Sequence, residues 1–374
     1  MNEKTSLREL ATLFLKLGVI AFGGPAAHIA MLENEVVRKR NWMSHEHFLD
    51  LVGATNLIPG PNSTEMVMHC GHERAGWKGL VVAGVCFILP AVLITAAFAW
   101  AYQRYGQLPQ VNAFVYGIKP AVIAIILSAL VPLGKKALKN AELGILGVAT
   151  VVACLLGVHE IAAMFGCGLM GVLLYWLKNR SRALPGFFPV SLLQVAAPLL
   201  PVGNLKIFGI FLKVGALLYG SGYVLFAFLD AELVSRGLLS RDQLIDAVAV
   251  GQFTPGPVLS TATFVGWQLN GPAGALVATV GIFLPSFLFV ALLNPLIPRL
   301  RRSKVMSAFL DAVNVAAIAV ILVVCLEMGR AALTDWKTLL IAVLSFGALL
   351  VFKKMNSVLV VAGGAALGYV LALI

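Results

Sequence analysis

Residues 56–65 read NLIPGPNSTE, and residues 252–257 read QFTPGP. Each Pro-Gly-Pro lies in the middle of an apolar run, and that placement decides the fold. Proline removes a backbone donor and clashes with the preceding turn, while glycine admits non-helical angles. Two prolines flanking a glycine therefore break one helix and start another. In a membrane, irregular backbone survives only where protein or a water-filled cavity covers it. The half-helix that follows would aim its free N–H groups and positive dipole end at the midplane. Two such ends would make an anion site around Gly60 and Gly256, framed by Pro59, Pro61, Pro255 and Pro257. A structural kink is the plainer reading of either copy alone.

The matched breaks belong to a longer repeat. FLKLGVIAFGG (14–24) aligns with FLKVGALLYGSG (211–222), placing Lys16 on Lys213 and Gly18 on Gly215. Gly71, Gly76, Gly79 and Leu89-Pro90 recur as Gly266, Gly271, Gly274 and Leu284-Pro285. The chain divides into a first repeat, 1–178, and a second, 205–374. A Pro-rich apolar linker, 179–204, joins them and is a candidate extra membrane crossing.

Composition puts these repeats in a bilayer. Of 374 residues, 60% are hydrophobic and 12% charged, against about 25% charged in a soluble domain. No charged residue occurs from Ala247 to Pro298. A spanning helix needs ~20 mainly apolar residues, and the apolar runs predict segments at 8–27, 47–71, 77–102, 112–134, 141–158 and 161–177. A second set follows at 205–229, 243–268, 272–297, 307–329, 336–352 and 355–374. The expected fold is an all-α polytopic membrane protein of two homologous repeats, each carrying a Pro-Gly-Pro broken helix. A soluble enzyme is excluded.

The basic loops give orientation. In the first repeat they follow the fourth segment (Lys135, Lys136, Lys139) and the sixth (Lys178, Arg180, Arg182). In the second they follow the third (Arg299, Arg301, Arg302, Lys304) and the fifth (Lys353, Lys354). The parity reverses, so the second repeat is expected to be inverted. Positive-inside topology accounts for most of the +11 net charge. Basic residues in short loops, on no single face, speak against nucleic-acid binding.

After the first break come Asn62, Ser63 and Thr64, and Ser260 follows the second; their hydroxyls and amide can donate to a tetrahedral anion. Glu65 has two readings. An ionised carboxylate in an apolar setting is costly, so Glu65 is a candidate carrier of a coupling proton; it would also complement the dipole of its own helix. Lys16 and Lys213 form a symmetric cationic pair suited to a dianion, or they snorkel to the interface. His69 and His72, one turn apart, lack a completing ligand set, so no metal is expected. No nucleotide-binding, hydrolase, flavin, haem or iron–sulfur motif is visible, so no cofactor is expected. The Gly363-Gly364-Ala365-Ala366 stretch with Gly368 would pack a helix, either internally or across a homodimer.

These strings resemble the chromate ion transporters. The resemblance rests on FGGPAAHIAMLE (22–33), the amphipathic stretch from Trp42 to Asp50, LIPGPNSTE (57–65) and GHERAGWKG (71–79). The second-half FTPGP (253–257) and FLP (283–285) fit as well. It implies a two-domain, multi-pass inner-membrane protein that exports chromate, with sulfate as competitor, driven by a proton or anion gradient. Lipid would be its other partner. Sulfate or other oxyanion uptake or exchange is the alternative, and a membrane-embedded chromate-reducing enzyme a more distant one.

Overall fold

The computed structural model describes residues 5–22, 24–106, 108–178, 203–293, 303–352 and 355–372. Among them are fourteen α-helices and no strand. The first repeat contains α1 (Leu7–Ile20), α2 (Gly24–Glu33), α3 (His45–Thr55), α4 (Asn62–Tyr105), α5 (Pro109–Ala137), α6 (Ala141–Leu155) and α7 (Glu160–Lys178). The second contains α8 (Asn204–Leu217), α9 (Val224–Leu229), α10 (Arg241–Phe253), α11 (Thr261–Leu293), α12 (Lys304–Ala332), α13 (Trp336–Val351) and α14 (Ser357–Ala372). Short π-helical turns, Asn34–Lys39 and Asp230–Val234, follow α2 and α9 at equivalent places. The candidate crossing at 179–204 and the basic residues Arg299, Arg301, Arg302, Lys353 and Lys354 lie outside or almost wholly outside the described residues.

Four of the expected segments are not single helices. The run 8–27 stops at Ile20 and restarts at Gly24, whose φ of 81° is left-handed. The run 47–71 breaks over 56–61, and 205–229 and 243–268 break at the corresponding places. Pro-Gly-Pro and the glycine strings interrupt the hydrogen-bond ladder, as their chemistry requires. Five stretches, within α4, α5, α7, α11 and α12, are long and apolar enough to cross a membrane.

Both α4 and α11 fold back on themselves. Ala75-Gly76 (φ/ψ −144°/23° and 61°/−150°) and Asn270-Gly271 (−154°/41° and 58°/−152°) adopt matching non-helical angles. A Cβ on Gly71 would collide with the Gly79 carbonyl, and one on Gly266 with the Gly274 carbonyl. In a continuous helix those residues would stand about 12 Å apart. The chain therefore reverses, and small residues let the two arms touch. The arm Asn62–Arg74 also pairs with α3: His47 Nε2 lies 3.4 Å from Glu73 Oε1. The two ends of α3 plus this arm meet, so Pro59-Gly60-Pro61 is the tip of a re-entrant hairpin.

The equivalent helices α5 and α12 run antiparallel. Lys139, just beyond the C-terminus of α5, binds Asp311 near the N-terminus of α12 at 2.7 Å. Further along, Cys325 of α12 reaches the carbonyl of Ile123, midway along α5. This is the geometry of an inverted repeat. The repeats also interlock. Gly364 and Gly368 of α14 pack on Gly117 of α5, while Gly168 and Gly171 of α7 pack on Phe309 and Ala312 of α12. The small-residue stripe of α14 thus has an internal neighbour. One apolar core, including Val122, Ile126, Phe228, Val313 and Val320, draws on both repeats.

Candidate functional site

The two hairpin tips dock on each other's repeat. Gly60 N–H donates to the carbonyl of Leu218 at the end of α8 (2.7 Å), and Gly256 N–H donates to Ala21 at the end of α1 (2.8 Å). Both glycines are left-handed, with φ of 145° and 90°. Each orphan carbonyl at a helix end is satisfied by a tip of the opposite repeat. These two amides, proposed from the sequence as anion donors, are therefore engaged in joining the repeats.

The residues after the first tip form a buried polar nest. Ser63 Oγ lies 3.3 Å from His28 Nδ1, whose Nε2 bonds Ala21 O at 2.9 Å. Asn62 Nδ2 donates to Asn56 Oδ1 at 2.8 Å. Glu65 is fully buried (0% exposed). Neither of its carboxyl oxygens, nor Thr64 Oγ1, nor the nearby Ser286 hydroxyl has a hydrogen-bond partner among the described residues. Ser286 belongs to α11, so this nest spans both repeats. A Cβ at Gly60 would strike both Glu65 Oε1 and Ser286 Oγ.

The second tip is more weakly polar. Thr95 Oγ1 of α4 lies 3.3 Å from the hydroxyl oxygens of both Thr254 and Ser260, which share its one proton. Ser260 and Thr261 occupy the place of Glu65, so no carboxyl is present there.

Neither lysine takes up a tip. Lys213 donates to Glu232 at 2.6 Å, and Glu232 also meets Arg236 at 2.9 Å and His159 Nε2 at 3.7 Å. Lys16 is exposed on α1, without a carboxylate partner among the described residues. The sequence reading missed the carboxylates on the π-helical turns. Glu35 with Lys39 and Glu232 with Arg236 are repeat-mates, and so are the ion pairs Glu33–His45 and Asp230–Arg241. Extending the repeat alignment beyond the glycine strings would have found them. Lys39 and Arg40 hold the Glu35 carboxyl below its ordinary range, the Lys39 hydrogen bond contributing most.

Two cavities flank the tips. The larger, about 330 Å³, lies beside the first tip at Asn56 and is walled by Gly220, Ser221, α12 at Asn314, and the C-terminal end of α5 at Lys136. The smaller, about 170 Å³, lies beside the second tip at Gln252 and Thr254, with Gly24, Ser128 and Tyr223. Asn56 corresponds to Gln252 and Gly220 to Gly24, so the cavities are related by the repeat.

The sequence profile of the chromate transporter family matches residues 8–172 and again 205–369. The chain belongs to the chromate transporter family. Within this family it is 32% identical to a chromate transport protein of Cupriavidus metallidurans, over 98% of this chain and 93% of that one. It is 30% identical to a chromate transport protein of Pseudomonas aeruginosa, over 97% and 92%. A probable chromate transport protein of Synechococcus elongatus is 32% identical, over 91% and 89%. No solved structure matches the chain. This member of the chromate transporter family is a multi-pass membrane protein and a transporter.

Proposed function

We propose that the protein is a secondary transporter that exports chromate across the inner membrane and couples export to a proton or counter-anion gradient. The substrate follows from the names of the relatives, with support from the polar side chains beside the first tip and, to a lesser extent, the second. A tetrahedral dianion needs several hydrogen-bond donors and a dry scaffold to hold them, and the re-entrant tips supply that scaffold. Asn62, Ser63, Thr64 and Ser260 are the candidate polar groups beside its path, and Lys16 and Lys213 the candidate cations at its margins.

The observation that carries the coupling is Glu65, fully buried with no cation paired to either oxygen among the described residues. An ionised carboxylate left so would be an uncompensated buried charge. Gain and loss of a proton at Glu65, next to Ser286 of the opposite repeat, would tie protonation to the fit between the hairpins.

Everted inner-membrane vesicles carrying the protein test this reading. Labelled chromate should accumulate when a proton gradient is imposed, and excess sulfate should compete. Uptake no greater than in vesicles without the protein would overturn it.

A further inference from the structure

We infer that the larger cavity, between the first tip, the Gly220-Ser221 turn and α12, is a binding site for a tetrahedral oxyanion, with Asn314, Ser221 and Asn56 as donors and Lys136 as counter-charge. The inference rests on the oxyanion reading above and moves the site away from the residues that follow each tip.

Three observations carry it. The first is size. At about 330 Å³, against roughly 30 Å³ for a water molecule in liquid, the cavity takes an oxyanion with part of its hydration shell. The second is its inventory of donors. Asn314 and Lys136 carry no hydrogen bond or ion pair among the described residues. Ser221 accepts from the Tyr223 amide, which leaves its own proton to give. Asn56 uses one amide proton on Val52 O and its oxygen on Asn62, so its second proton is free. Gly220 is left-handed at φ 95°, and no backbone carbonyl among the described residues takes the amide of Gly220 or Ser221.

The third observation is charge. Of the described ionisable residues on the wall, Lys139 and Asp311 satisfy each other at 2.7 Å, which leaves Lys136 as net positive charge among them. The cavity at the second tip, lined by Gln252, Thr254, Tyr223, Ser128 and Ser357, carries among its described residues no ionisable side chain other than the Tyr223 phenol. A cation beside neutral donors is the arrangement that favours an anion. The two related cavities therefore differ in charge: of the two, only the larger has a cation beside its neutral donors among the described residues.

Calorimetric titration of chromate, and separately of sulfate, into the purified full-length protein tests the site. Lys136→Gln should weaken binding on the order of tenfold, the loss expected for one charged hydrogen bond. Asn314→Asp, which puts a like charge on the wall, should abolish it. Lys135→Gln, one residue away and off the wall, should bind as wild type. Melting temperatures without ligand establish that each variant is folded, and Lys136, being exposed, should tolerate its change. Wild-type affinity in both Lys136→Gln and Asn314→Asp, or an equal loss in Lys135→Gln, would overturn the site. If the unaltered protein binds neither anion, the oxyanion reading itself falls.

Discussion

Lys213 Nζ lies 2.6 Å from Glu232 Oε1, whereas its repeat-mate Lys16 is exposed and makes no such pair. Identical residues at equivalent positions thus have different duties. Glu232 is 1% exposed and leans on Lys213 and Arg236 together. Removing one cation leaves that carboxylate under-compensated. Lys213→Ala should destabilise the protein by roughly 1–3 kcal/mol, below the full range for breaking a buried pair because Arg236 remains. Lys16→Ala should stay within about 0.5 kcal/mol. Melting in detergent compares them, and equal melting temperatures would remove the pair from the account.

Glu65→Gln keeps the shape of the nest while removing the ionisable group. Chromate uptake into everted vesicles should persist but lose its response to an imposed proton gradient. A variant that still responds as wild type would assign coupling elsewhere.

Gly60→Ala should be more harmful than Gly256→Ala. Both positions are left-handed, a strain of about 1–3 kcal/mol for alanine. At Gly60 the added methyl also strikes Glu65 and Ser286, while at Gly256 its nearest neighbour, Ala91 Cβ, stands 3.0 Å away. Folded yield and melting temperature should both rank wild type, then Gly256→Ala, then Gly60→Ala.

The antiparallel run of α5 against α12 makes a topological prediction. Cysteines placed at Lys139 and Asp311, in a chain freed of its five native cysteines, should react with a membrane-impermeant thiol reagent from the same side. A short bismaleimide should join them. Labelling from opposite sides would refute the inversion.

Glu35 supplies a dependence on pH. Its carboxyl sits below the ordinary 4.5 because the Lys39 ammonium, and then Arg40, favour its ionised form. A group depressed on folding stabilises the protein above the unfolded value, and that stability is lost as pH falls through the folded one. Lowering the pH beneath about 4.5 should therefore reduce the melting temperature, and Glu35→Gln should flatten that limb. The two proteins would be expected to differ little once the acid range is reached.

The breaks were legible because their cause is local. Pro59, Gly60 and Pro61 forbid a helix wherever they stand, and recurrence at 255–257 marked a duplication. Inversion was legible from the parity of Lys135–Lys139 against Lys304. What each broken end bonds to was not legible. The partner of Gly60 is Leu218, and no periodicity links positions so far apart. Lys213 read as a substrate ligand because an intramembrane cation invites that role; its ion-pair partner, Glu232, lies beyond a loop and α9, where no local pattern points to it. The cavity wall is drawn from four separate stretches, so Asn314 and Lys136 became neighbours only on folding.

The exchange of amides between tips makes each repeat the missing part of the other. Neither Gly60 nor Gly256 finds its carbonyl within its own copy. A chain cut within 179–204 should recover its shape only when both pieces are made together, and either piece alone should be degraded. Across the doubling the equivalent side chains differ, Glu65 in one copy and Thr261 in the other. Neither copy could discard the join. Duplication released the side chains to diverge and bound the backbones to stay alike.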